Sequence, residues 1–262
     1  MKKIFIILIL LLVTSGLWIA WRGLTVYRAY TTAPVPAIST TPPPPPSGKE
    51  VPTVEVNQTV FTYDVIRVAT ASAVTLLPNF TEKQDAQSIR TANGCTSVVN
   101  GGFYTENNRP LGLFQIGTRV YGPSSQSALV NGYIWVDAQE NFFITSEIPE
   151  VSRRFAMQSG PLLLFNGQTL PLTIHNDTGA RRMAAAKTMD NALLFLAVYT
   201  EDSVFDGPLL ADLPLVIEKI SDKEKLDIAD AINLDGGSAS VFYQGETTIS
   251  ELTPVGSLFC IK

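Results

Sequence analysis

Five consecutive prolines, Pro42 to Pro46, place the strongest constraint on how this chain folds. Each lacks a backbone N–H and has its φ locked, so neither a helix nor a central strand can run through them. Such a run favours an extended polyproline II rod. Further prolines, threonines and serines surround it, so residues 23–53 read as a linker and residues 54–262 as the folding domain. About 210 residues suffice for a sizeable core without help from metals or disulfides.

On the other side of the rod, Lys2 and Lys3 precede an almost unbroken apolar run from Ile4 to Trp21. At ~1.5 Å rise per residue such a run just spans a bilayer core. No lipobox cysteine or small-x-small cleavage pattern closes it. Residues 1–22 are therefore expected to form an uncleaved signal anchor, a transmembrane helix, with a cleaved signal peptide as the alternative. The short N-terminal tail favours a domain on the extracytoplasmic side of a single-pass protein, or a secreted domain if the segment is cleaved.

The net charge of −5 supplies no basic field, so a nucleic-acid partner is excluded. Cys95 and Cys260 have no CxxC spacing, which argues against a thiolate-held metal. They form either a disulfide closing a very long loop or two buried free thiols. No metal site and no cofactor is expected.

Short β-branched and aromatic runs predict strands at 59–69, 95–100, 112–121, 129–137, 161–165, 192–199, 231–234, 239–243 and 255–261. Thr81 with Gln84 resembles a capping box, and Asn93-Gly94 a stop, so 82–92 is expected to be helical. Residues 208–220 are expected to form a helix interrupted at Pro214, with a further short helix after Ser221. This mixture predicts an α+β fold, a single domain built on a large mixed, mostly antiparallel sheet with a few helices.

Four segments break the strand pattern, three with glycines beside polar side chains and one with paired arginines. They are Asn100-Gly101-Gly102-Phe103-Tyr104, Gln158-Ser159-Gly160-Pro161, Arg181-Arg182-Met183-Ala184-Ala185-Ala186 and Asn233-Leu234-Asp235-Gly236-Gly237-Ser238. Paired glycines let backbone N–H groups converge on an anion. Arginine grips phosphate oxygens bidentately, amides recognise sugar hydroxyls, and an aspartate serves as acid or base. Singly, each segment reads more simply as a tight turn.

In order and spacing the four together resemble the phosphodiester glycosidase family, over about residues 95–262. Asn-Gly-Gly-Phe, Gln-x-Gly-Pro, Arg-x-Ala and Asn-x-Asp-Gly-Gly-x-Ser are met here by Asn100–Phe103, Gln158–Pro161, Arg182–Ala184 and Asn233–Ser238. The resemblance implies hydrolysis of a sugar-1-phosphodiester, with a sugar-phosphate or glycopolymer as the partner molecule. It assigns catalysis to Asp235 with Asn100, and to Glu106 as a candidate second carboxylate. Arg182, Gln158, Ser159, Gly160, Gly101, Gly102, Phe103, Asn233, Gly236, Gly237 and Ser238 are expected to bind substrate. The rival expectation is a non-catalytic carbohydrate or cell-wall-binding module of the same fold. A hydrolase triad of His175, Ser159 and Asp177 is disfavoured, because no GxSxG surrounds the serine.

Overall fold

The computed structural model describes residues 51–262. The expected anchor and nearly all of the expected linker lie outside the described residues. The described part begins with a hairpin, β1 (Thr53–Val56) and β2 (Thr59–Val68), turned at Asn57 and Gln58. Both turn residues have positive φ, as a two-residue hairpin turn requires. Then come β3 (Val74–Pro78), α1 (Ala86–Asn93), β4 (Ser97–Asn100), β5 (Phe114–Ile116), β6 (Arg119–Gly122), β7 (Gly132–Asp137) and β8 (Phe142–Thr145). The chain continues through β9 (Arg153–Ser159), β10 (Leu162–Phe165), β11 (Gln168–Thr169), β12 (Arg182–Thr188), β13 (Leu193–Thr200) and α2 (Leu213–Glu224). It closes with β14 (Ile228–Asn233), β15 (Phe242–Gln244), β16 (Thr247–Ile249) and β17 (Ser257–Ile261).

The strands form three sheets, ordered β1-β2-β13-β12-β14-β10-β11, β16-β15-β4-β17-β3 and β6-β5-β9-β7-β8. Every pairing among the described residues is antiparallel, which corrects the expected mixed sheet. The reason lies in the connections. Parallel neighbours need crossovers of about a dozen residues or more, usually helical. This part of the chain has two α-helices and links β1–β2, β5–β6, β7–β8, β10–β11, β12–β13 and β15–β16 through short turns. Apolar side chains of all three sheets meet in one core, where Phe155, Phe195 and Phe259 pack ring against ring. Each such buried aromatic contributes about 2–3 kcal/mol of burial energy.

The seven-stranded sheet buries its other face under α2, whose Leu213, Val216, Ile217 and Ile220 pack on Leu194, Leu196, Ala184 and Ala186. Pro214 stands in the first turn of this helix, where its missing N–H costs nothing, so it starts the helix instead of interrupting one. One helix thus replaces the two expected around 208–224. In α1 the cap is Asp85, whose carboxylate accepts from Ser88 N–H at 2.8 Å; the Thr81 box is not used. Gly94 ends α1 in the left-handed conformation, as its position predicts. Behind α1, Cys95 and Cys260 are disulfide-bonded, tying the start of β4 to β17.

Candidate functional site

The four segments lie at strand ends of different sheets, and the backbone brings them together. β14 ends at Asn233, and the chain then leaves its sheet: Leu234 N–H donates to Met183 O at 2.8 Å and Asp235 N–H to Gly101 O at 3.2 Å. Gly160 N–H donates to Asn233 O at 3.1 Å, and Ser159 Oγ donates to the same carbonyl at 2.7 Å. Gly237 N–H donates to Arg181 O at 3.0 Å. Glycine keeps this crossing close. A Cβ on Gly102 would stand 3.0 Å from Gln158 O, and one on Gly236 3.0 Å from Arg181 O.

Asp235 is the carboxyl at the centre. Burial pushes it up to about 7, only partly offset by a hydrogen bond from Gly236 N–H to Oδ1 at 2.9 Å. Its second oxygen has no hydrogen-bond partner among the described residues. The Tyr104 hydroxyl lies within its field: burial first, then the Asp235 charge, raise the phenol above its ordinary value. Tyr104 donates to Pro254 O at 2.6 Å, while Leu252 N–H and Thr253 N–H both donate to Ser238 O. The Ser250–Pro254 loop therefore forms one wall beside Asp235.

Several expected ligands serve as braces instead. Asn100 is 1% exposed; its Nδ2 donates to Gly101 O and Asp235 O, and its Oδ1 accepts from Val241 N–H. It locks the Asp235 backbone and has no free group for a sugar. Gln158 accepts from Leu113 and Ser125 N–H and donates to Ser125 O and Val130 O, which exhausts its amide. Asn233 Nδ2 holds Gly160 O, and Ser159 is fully buried. Phe103 contributes its carbonyl to Leu111 N–H. The expected anion nest is also altered. Gly236 N–H turns to Asp235, Gly237 N–H turns to Arg181, and of the three amides only that of Ser238 makes no hydrogen bond among the described residues. Glu106 is exposed on the turn between Tyr104 and Pro110, where only its backbone carbonyl is engaged. Its carboxylate makes no hydrogen bond or ion pair among the described residues.

The two arginines divide their work. Arg182 places Cδ beside Gly236, but its guanidinium turns to Pro208 O, Thr178 O and the Asp177 carboxylate at 3.4 Å. Burial lowers its pKa, and the Asp177 charge opposes this. Nη1 has no partner among the described residues, which leaves one edge for an anion. Arg181, unassigned by sequence reasoning, is 1% exposed and holds three loops at once. Nε donates to Gly237 O at 2.8 Å and Ser240 Oγ at 2.6 Å, and Nη2 donates to Ser240 O and Ser250 O. Nη1 reaches Val204 O. The doubled arginine was the available signal for this clamp; Tyr104 and Thr253 carried none. His175 is exposed, and Ser159 bonds to Asn233 O, so no triad exists. Among the described residues, no group of three or more His, Cys, Asp or Glu converges on a metal position.

A family model described as phosphodiester glycosidase matches residues 93–262. No curated protein shows a significant match. Among solved structures, the fold is similar to that of a hypothetical protein from Synechocystis, at 14% identity and a TM-score of 0.54, covering 81% of this chain. The present chain spans 61% of that protein's length. The catalytic domain of zebrafish N-acetylglucosamine-1-phosphodiester alpha-N-acetylglucosaminidase, solved as auto-inhibited by its pro-peptide, is similar at 13% identity and a TM-score of 0.54. That match covers 81% of this chain and 86% of the zebrafish domain. A protein of Burkholderia pseudomallei described as exported gives 11% and 0.53, over 78% of this chain and 74% of its own. At these identities the likeness establishes the fold alone.

Proposed function

Because the chain belongs to the phosphodiester glycosidase family, we propose that it hydrolyses sugar-1-phosphodiesters, releasing a free sugar and a phosphomonoester. The observation that carries this reading is the Asp235 carboxyl, buried, raised to about 7 and with one oxygen unengaged. A carboxylate of that basicity is a far better proton acceptor near neutral pH than an ordinary aspartate. Asp235 is the general base that takes a proton from the water attacking the anomeric carbon.

One carboxylate is enough for this bond. Ordinary glycoside cleavage needs a second carboxyl to protonate a poor alcohol leaving group. A departing phosphomonoester, whose second ionisation lies near ~6, leaves without one. The exposed position of Glu106 is therefore compatible with catalysis. Arg182 offers the open guanidinium edge for the phosphate. Envelope or extracellular glycoconjugates are the proposed substrates, with the domain held outside the membrane by residues 1–22. Among the described residues no helix is long and apolar enough to cross a membrane.

The test is product analysis of the full-length chain incubated with UDP-N-acetylglucosamine and a panel of sugar-1-phosphodiesters in ¹⁸O-labelled water. Label in the released sugar is expected, since water attacks the anomeric carbon. Label in the phosphate would assign O–P cleavage and remove Asp235 from the role given to it. No release from any substrate would leave the carbohydrate-binding module as the reading.

A further inference from the structure

We propose that the cleft between the first turn of α1 and the Ser250–Pro254 loop is a second sugar subsite, binding a neutral sugar unit of an extended substrate beside the phosphodiester. The placement rests on the hydrolase reading above, but the existence of the subsite does not. The cleft encloses about 440 Å³, within the range of small-molecule sites. It shares a wall with the neighbourhood of Asp235: Thr253 and Pro254 line it, Thr253 Oγ1 lies 3.4 Å from Ser238 Oγ, and Pro254 O holds Tyr104. Two other clefts, of about 320 and 510 Å³, share no residue with that neighbourhood.

The shared wall is preformed. Ser250 O accepts from Arg181, Glu251 Oε1 accepts from Ala86 N–H at 2.6 Å, and Leu252 and Thr253 N–H both bond to Ser238 O. With the Tyr104–Pro254 bond, every residue from 250 to 254 is pinned through at least one polar atom. A site whose wall is already fixed avoids the ordering cost of binding.

The lining selects the ligand. Asp85, Glu251, Gln87 and the Ser250 hydroxyl supply acceptors and donors for sugar hydroxyls, and each carboxylate keeps acceptor capacity beyond its helix-capping bond. Two carboxylates against one lysine, Lys83, disfavour a phosphate or an acidic sugar. Leu252, 64% exposed, and Pro254 offer an apolar surface to the C–H face of a pyranose.

The experiment titrates the full-length chain with chitotriose, cellotriose and maltotriose by ligand-observed NMR, comparing wild type, Gln87→Trp and Lys219→Trp. Gln87 is exposed on α1, so tryptophan there fills the cleft without entering the core; Lys219 lines the cleft between β1 and α2 and is the control. Wild type is expected to bind at least one trisaccharide in the millimolar range. Gln87→Trp should weaken it by ~10-fold, about 1.4 kcal/mol, and Lys219→Trp should not. Absence of binding to wild type, or equal effects of the two substitutions, overturns the subsite whether or not the chain hydrolyses phosphodiesters. Where hydrolysis is found, Gln87→Trp should lower kcat/KM for a trisaccharide-linked phosphodiester more than for the methyl phosphodiester of the same sugar. An equal loss on both would also overturn it.

Discussion

Replacing Asp235 by asparagine should make the protein more stable, with a gain that starts above about pH 4 and is full above pH 7. The buried carboxyl is held at about 7, against 3.8 when solvated. A raised carboxyl pKa means that ionisation opposes folding. Below about pH 4 the group is protonated in both states and costs nothing. Between 4 and 7 the unfolded chain releases its proton first, and the folded state loses ground steadily. Above 7 the full penalty is present, about 4 kcal/mol at ~1.36 kcal/mol per pH unit. Asparagine keeps the acceptor for Gly236 N–H and never ionises, so it escapes the penalty. Paired urea unfolding of the full-length wild type and Asp235→Asn at pH 4 and pH 8.5 isolates the effect, since every other titrating group is common to both. The midpoints should coincide within roughly 0.5 kcal/mol at pH 4. At pH 8.5 the variant should unfold at a midpoint higher by roughly 1–2 M urea, for a slope of about 2–3 kcal/mol/M. A difference independent of pH, or a wild type more stable at pH 8.5, would refute the raised carboxyl and the general-base role built on it.

Arg181→Met leaves the buried carbonyls of Ser240 and Ser250 without the guanidinium that satisfies them, at about 1–3 kcal/mol each. The melting temperature should fall by roughly 6–12 °C for a loss of about 3 kcal/mol; a fall of under ~1 °C would show that the clamp contributes little. Gly112→Ala forces a side chain onto φ +106 and brings its Cβ to 2.5 Å from Gln158 Oε1. It should cost about 2–4 kcal/mol, against about 1 kcal/mol for Gly94→Ala, whose surroundings are open; urea midpoints would rank them. Cys95→Ser with Cys260→Ser opens a loop whose ends are 165 residues apart. The expected loss is up to about 5 kcal/mol on the loop-entropy argument, and a non-reducing peptide map should join the two cysteines in the wild type.

Legibility in the sequence followed the local physics. Strands bounded by turn residues, such as β2, β10 and β13, stand within one residue of their predicted limits. The predicted strand 112–121 became β5 and β6 because Gly117 adopts φ +55 and turns the chain back. β12 was missed because Arg-Met-Ala-Ala-Ala-Lys-Thr has no β-branched pattern; it is a strand because small side chains fit between two sheet neighbours and two buried faces. The same logic separates the site residues. Asp235 stood out because an aspartate between an apolar strand and two glycines has little structural reason to be there. Asn100 and Gln158 looked equally functional in sequence, yet tertiary hydrogen bonds to segments 141 and 33 residues away make them braces. Arg181, Tyr104 and the Ser250–Pro254 wall depend on loops meeting from distant strands, which periodicity cannot express.

The central claim is that Asp235 is the base of a phosphodiester glycosidase, and the pH dependence of turnover tests it most directly. For a sugar-1-phosphodiester that the full-length wild type cleaves, kcat/KM should rise with pH through an apparent pKa of about 7 and then level. Asp235→Asn, folded by its urea midpoint, should lose at least ~100-fold in kcat/KM and the pH limb with it. A variant that keeps full activity, or a wild-type profile flat between pH 5 and 9, would contradict the assignment.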